Sequence, residues 1–275
     1  MKSYPLEPVP RRMKFEFTSD IPRQWAGGDA ARSQFANAFS ILLPGYEALF
    51  IKALMSNLGG LPASPELRAQ ARDFCAQEGQ HASVHRDYNR WLFALGYSAV
   101  PDFERFHRAL CRFQERWFSP RMMLGLAAGG EHMTSFLSHD FLSRPEFWIA
   151  GSHPTLAALW SWHAVEEIEH KAVCFDAYQA AGGGVGLRRA VYVIAAFQLL
   201  GLTAHFQMYL LFKDGSAFRP RTWISLTRML VGSGGFLFVV WRESCAYFRK
   251  DFHPWETRDE SLVATWLQTY GENAV

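Results

Sequence analysis

Between Pro65 and Gly96 the positions 67, 71, 74, 78, 81, 85, 88, 92 and 95 advance by alternating steps of four and three, the stride of one face of an α-helix. They read Leu, Ala, Phe, Glu, His, His, Tyr, Leu and Leu. The segment after Pro154 repeats the arrangement, with Leu156, Trp160, His163, Glu167, His170, Cys174, Ala177 and Ala181. Each seam therefore carries a Glu-x-x-His pair, Glu78/His81 and Glu167/His170, where apolar side chains are expected. Two further stripes, Leu43, Glu47, Phe50, Leu54 and Leu124, Ala128, Glu131, Ser135, each contain one lone glutamate.

Punctuation by Gly and Pro bounds these segments as four helices. The first is predicted to start with Asp29 as its N-cap and to stop at Gly59-Gly60, with Pro44 bending it or opening its hydrogen bonding three residues before Glu47. The second opens on the cap Ser64 followed by Pro65 and closes at Gly96. The third begins near Pro101, is interrupted at Ser119-Pro120 and resumes to about Ser143, carrying Gly129-Gly130 before Glu131 for close approach of backbone. The fourth is expected to run unbroken from Pro154 to about Ala181, ended by the hinge Gly182-Gly183-Gly184.

The prediction is an all-α chain in four parts. Residues 1–28 form an extended, partly basic arm, and the alternation in Arg11-Arg12-Met13-Lys14-Phe15-Glu16-Phe17 suits a short edge segment. Residues 29–185 form the bundle, 186–250 an apolar helical hairpin, and 251–275 a C-terminal tail. The hairpin is predicted because Ala190 to Phe212 holds no Asp, Glu, Lys or Arg, and the run Met229 to Trp241 follows it. Gln198, Thr203, His205 and Gln207 weigh against a bilayer span. Packing on the bundle, a homodimer interface and contact with a membrane surface all remain open.

Residues three apart on a helix differ by about 60° around the axis, so a Glu and a His so placed can grip one ion. A carboxylate in a helix seam must be neutralised, paired or bound to a cation, because burying it bare costs several kcal/mol. Four seam glutamates beside histidines make a two-metal centre the simplest answer, the alternative being solvated glutamates and hydrogen-bonded core histidines. His163, four residues before Glu167 and seven before His170, falls within the same wedge. It is either a further ligand or an imidazole stacked on Trp160 or Trp162. His85 and Cys174 occupy matching seam positions beyond the pairs and read as supporting or packing residues. His132 turns about 100° away from the site. Glu166 and Glu169 also turn from the seam towards a solvated face, with Glu166 retained as able to orient a ligand.

Composition narrows the function. The 275 residues are 49% hydrophobic, enough for a large core, and the formal charge of +2 offers no case for nucleic acid. Cys75, Cys111, Cys174 and Cys245 form no Cys-x-x-Cys, and Met1 to Arg12 lack a signal-like apolar run, which points to a reducing cytoplasm, with or without membrane contact.

The pattern Glu47, Glu78-x-x-His81, Glu131, Glu167-x-x-His170 resembles the ferritin-like di-iron carboxylate proteins, which implies a four-helix bundle. From the Arg11-to-Phe15 arm to the apolar C-terminal part, the chain also resembles a bacterial family labelled predicted metal-dependent hydrolases. His163-x-x-x-Glu167-x-x-His170 is similar to the ligand helix of di-iron arylamine N-oxygenases. Carried over, these resemblances imply Glu47, Glu78 and His81 on one metal, and Glu131, Glu167, His170 and His163 on the other. Phe74 holds the equivalent of the His163 position in the second helix, so the site is expected to be asymmetric.

The implied cofactors are two metal ions, iron first, with manganese or zinc as alternatives. The function expected from this ligand set is an oxygen-activating oxygenase or oxidase, supplied by an electron donor and acting on an apolar or amphipathic small molecule. The alternatives are a dimetal hydrolase and a non-catalytic metal-binding or membrane-associated protein.

Overall fold

A computed structural model describes residues 5–60 and 64–270. Residues 1–4 of the expected arm and 271–275 of the expected tail lie outside the described residues. The described residues are helical, in the order α1 (Ala30–Leu58), α2 (Pro65–Ala94), α3 (Val100–Trp117), α4 (Pro120–Ser143), the one-turn α5 (Pro145–Trp148), α6 (Pro154–His170) and α7 (Val173–Ala180). There follow α8 (Val185–Lys213), α9 (Pro220–Val231), α10 (Phe236–Tyr247) and α11 (Glu260–Tyr270). Among the described residues there is no strand, only an isolated bridge between Ala26 and Ser152. The edge segment expected at residues 11–17 is instead extended chain laid along the helices. Gln80 donates to the Met13 carbonyl, Trp91 donates to the Thr18 carbonyl, and Phe17 stacks on Tyr88.

The caps explain where the helices begin. The Asp29 carboxylate accepts from the Arg32 amide, Ser64 Oγ from the Leu67 amide and Ser119 Oγ from the Met122 amide, each satisfying a donor of the first turn. α1 packs on α2, α4 and α8, and α4 packs on α1, α6, α7 and α8, so α1 and α4 form the middle of the assembly. Close approach of α1 and α4 depends on Gly130, where an added Cβ would lie 2.3 Å from Phe50 Cζ. At Gly129 the neighbour is Tyr192 of α8.

Pro44 leaves α1 continuous but opens its hydrogen bonding as expected, and the Ser40 carbonyl that it deprives of a helical donor accepts from Asn89 Nδ2 of α2 at 3.1 Å. One expectation changes. The expected fourth helix is not one rod, because it breaks at Lys171-Ala172 into α6 and α7. The break falls where Lys171 is buried, its ammonium donating to Asp259 at 2.6 Å and to the Thr257 carbonyl, over the ring of Trp255. α6 thus ends on His170 itself.

The C-terminal region is also more broken than a hairpin. α8 is one long helix, whereas the apolar run after it is divided at Gly232–Gly235 into α9 and α10. Among the described residues, three segments are long and apolar enough to cross a membrane: Ala30–Leu58, Val185–Lys213 and Pro220–Tyr247. The most apolar window of the first is 67% buried inside the protein, against 33% and 22% for the other two. Phe197, Phe238 and Trp241 are among the large side chains left exposed there.

Candidate metal centre

α1, α2, α4 and α6 each aim a carboxylate at one point in the interior. Glu47, Glu78, Glu131 and Glu167 are all buried, as are His81, His163 and His170. His170 Nε2 lies 3.1 Å from Glu131 Oε2, 3.2 Å from Glu78 Oε1 and 3.5 Å from Glu167 Oε2. His81 Nδ1 lies 3.4 Å from Glu78 Oε1 and 3.8 Å from Glu167 Oε1, while His163 Nε2 is 3.1 Å from Glu167 Oε1.

These approaches are close but not aligned as hydrogen bonds. Both oxygens of Glu47 and of Glu131, Glu78 Oε1, Glu167 Oε2, His81 Nδ1, His163 Nε2 and His170 Nε2 are buried without a hydrogen-bond partner. Buried polar atoms are normally satisfied, so this many orphans facing one another fit a cation rather than a protein hydrogen-bond network. Among the described residues, four groups have donor atoms close enough to share an ion: Glu47, Glu78, His81; Glu78, Glu167, His170; His81, His163, Glu167; and Glu47, His85, His163. Glu47, Glu78, Glu167, His81 and His163 each belong to more than one group. Glu131 joins through His170. His163 groups with His81, Glu47 and Glu167, on the Glu47 side and not beside Glu131 where the resemblance put it.

The back of each imidazole is held by the protein, which leaves its other nitrogen for the centre. His170 Nδ1 is 3.0 Å from Gln77 Oε1, and Gln77 donates onward to Glu169. His81 Nε2 faces Glu166 Oε2 at 3.0 Å. His163 Nδ1 is 3.2 Å from His85 Nε2, and His85 Nδ1 is 2.9 Å from Ser40 Oγ, beside the carbonyl freed by Pro44. His85 is thus buried between Ser40 and His163. Cys174 is buried in α7 with no hydrogen bond to the ligand candidates, and His132 turns away to the Glu243 carbonyl.

Glu166 and Glu169 overturn the solvated-face expectation. Both are buried, and both end on Arg11 of the arm. Arg11 binds Glu169 through Nη1 at 2.9 Å and Nη2 at 2.6 Å, and meets Glu166 with its amide at 3.0 Å and Nη1 at 3.4 Å. Trp162 Nε1 also donates to Glu166 at 3.0 Å. Helical phase alone pointed these glutamates outward, because it does not show that an arm covers that face. The signal available was the Arg11-Arg12 pair in the arm.

Electrostatics follow from the packing. Burial, reinforced by Glu78, raises Glu47 well above the ordinary carboxylate range, and burial raises Glu131 to about 8. Burial also works against ionising Glu167, but His170 and His163 outweigh it and hold that carboxyl well below its ordinary value. For His81, burial opposes protonation, but the adjacent carboxylates of Glu166 and Glu78 outweigh it and raise its pKa to about 10. His85 and His163 are lowered by burial and by neighbouring imidazoles.

An aromatic slot opens beside the cluster. Phe35, Phe39, Phe141, Trp148 and Trp160 wall it, and His163 also lines it.

No curated protein and no solved structure matched the sequence. A family description, predicted metal-dependent hydrolase, matches residues 9–258, a span that takes in the arm, the buried cluster and the apolar C-terminal helices. With that match over most of its length, and with buried Glu/His groups able to hold metal, the chain belongs to the predicted metal-dependent hydrolase family.

Proposed function

We propose that the chain is a two-metal enzyme on a ferritin-like plan, acting by hydrolysis on an apolar or amphipathic small molecule. Glu47, Glu78 and His81 hold one ion, with His163 added from the same side. Glu131, Glu167 and His170 hold the other, with Glu78 and Glu167 placed between them. The observation that carries this reading is the set of buried carboxylate and imidazole atoms that converge without hydrogen bonds. The family description favours hydrolysis. Two ions so held supply either a water activated for hydrolysis or, as iron, a site for reductive activation of dioxygen.

The chain's own residues do the rest. Arg11 fixes Glu166 and Glu169, which fix His81 and, through Gln77, His170. Ser40 and His85 hold His163 with Nε2 turned inward. Because burial raises Glu47 and Glu131, cations that bind there expel protons, and loading is favoured as pH rises. The aromatic slot excludes water on the His163 side and accepts an apolar group.

A second reading, oxygen-dependent oxidation fed by an electron donor, is favoured by the wholly aromatic and aliphatic lining of that slot apart from Arg32, Thr134, Ser138 and His163. The exposed apolar faces of α8 and α10 suit work at a membrane surface under either reading.

Anaerobic reconstitution with iron, manganese or zinc tests the proposal. About two ions per chain are expected, bound by the wild type and lost from Glu78→Ala and Glu167→Ala. Turnover of an ester or amide panel without oxygen or reductant supports hydrolysis. A diferrous form whose optical and Mössbauer spectra change on exposure to oxygen supports the second reading. Full metal content in both variants would overturn the shared premise.

A further inference from the structure

The aromatic slot and a basic cleft lie side by side, with Arg32 of α1 lining both. The slot encloses about 60 Å³, which admits roughly four water-sized groups in file. The cleft beside it is wider, at about 660 Å³. One face of α9 supplies its floor, because Arg221, Ser225 and Arg228 recur at steps of four and three.

The charges in this cleft are unequal in their commitments. Asp29 is already engaged: it caps the Arg32 amide, pairs with Arg32 Nε at 3.3 Å and accepts from Ser225 Oγ at 2.5 Å. The Arg32 guanidinium is fixed in turn by the carbonyls of Phe147 and Ala26. Arg221 and Arg228 have no ion pair among the described residues and lie across the cleft mouth, with Glu146 the one further acid at its rim. The cleft thus presents two uncommitted guanidinium groups, each a donor fork for a carboxylate or phosphate, next to an apolar slot that His163 of the candidate metal centre also lines.

We propose that the substrate is an anionic amphiphile, its acidic head held between Arg221 and Arg228 and its apolar body lying past Arg32 in the aromatic slot, with the reacting bond beside His163. This rests on the two-metal reading of the centre, and adds the head group and the direction of entry. Carboxylate and phosphate heads share the chemistry that two arginines recognise.

Titration of the full chain with decanoate, decyl phosphate, decanol and decyltrimethylammonium, each below its micellar concentration, tests it through quenching of tryptophan fluorescence. Metal content is measured on the same preparations. At least one of the two anions is expected to bind about tenfold or more tightly than decanol, with the cation weakest, and the tighter anion identifies the head group. The double variant Arg221→Gln/Arg228→Gln is expected to bring the anions to the affinity of decanol while keeping its metal. Ala164→Phe, in the slot wall, is expected to weaken every probe, with helical circular dichroism confirming that it folds. Equal affinity of the wild type for all four probes, or an anion preference that survives in the double variant, overturns the proposal. A wild type that prefers anions yet binds no metal upholds the anion cleft and removes the two-metal reading; metal without anion preference does the reverse.

Discussion

The centre of the α1, α2, α4 and α6 assembly and the α8–α10 region invert the usual distribution of residues. The former buries four glutamates and three histidines around one point, while the latter leaves Phe197, Phe238 and Trp241 in solvent, at 83%, 61% and 69% exposure. Both arrangements cost stability in a free-standing monomer, for opposite reasons. Buried charge lacks water, and exposed apolar surface orders it. The buried charge fits a cation inside, and an apolar or interfacial neighbour is what we propose for the exposed face. The regions also differ in how they are held. The three histidines of the centre are each backed by a protein side chain, His85, Gln77 or Glu166, whereas the exposed faces of α8 and α10 are held only from behind.

The sharpest way to break the comparison is to remove the interior charge. Glu78→Ala and Glu167→Ala are each expected to abolish metal retention after gel filtration, read by metal analysis, because each carboxylate serves more than one candidate group. Arg11→Met comes next. It strands Glu166 and Glu169 without their cation, and removing one partner of a buried ion pair costs about 3–5 kcal/mol, measurable by urea unfolding. The same variant frees His81 and His170 to turn, so competition with a chelator should show metal affinity lower by about 10- to 100-fold.

Away from the centre, burial of a lone imidazole is expected to leave a pH signature. Burial holds His107, packed edge-on against Tyr46, down to about 4, so the folded chain resists its protonation. The stability this contributes is present above its ordinary pKa of about 6.5 and is lost as pH falls from there towards 4, by about 3 kcal/mol at most. Subtracting the unfolding free energy of His107→Gln from that of wild type, at several pH values, should isolate that slope. The smallest effect belongs to the other region: Phe197→Ser, Phe238→Ser and Trp241→Ser are each expected to change stability by about 0.5 kcal/mol or less in calorimetry. Combined, they should reduce co-sedimentation with lipid vesicles if the exposed face meets a membrane.

The seam positions and caps were legible in the sequence because they depend on local periodicity. Asp29 and Ser64 mark their helices, and the stride from Leu67 to Leu95 places Glu78 and His81 inside. What was not legible depends on parts of the chain far apart. Helical phase turned Glu166 and Glu169 outward, and only the arm passing over them makes that face interior. The break after His170 follows from Lys171 meeting Asp259, a partner 88 residues away. Pro44 was visible as an interruption, but not that Asn89 would take up the freed carbonyl and tie α1 to the His85–His163 pair.

The arm has a consequence for how the molecule is made. Arg11 lies 155 and 158 residues before Glu166 and Glu169, so during synthesis it emerges long before its partners exist. Closing so long a loop comes late in folding, since the chain entropy must be given up before the contact forms. The histidines backed by those glutamates are therefore set only after α6 has joined the bundle, and ions supplied to an incomplete chain would meet His81 still free to rotate. Maturation of the centre is in this sense a step taken after translation of α6, with the arm among the last parts of the chain to find its place.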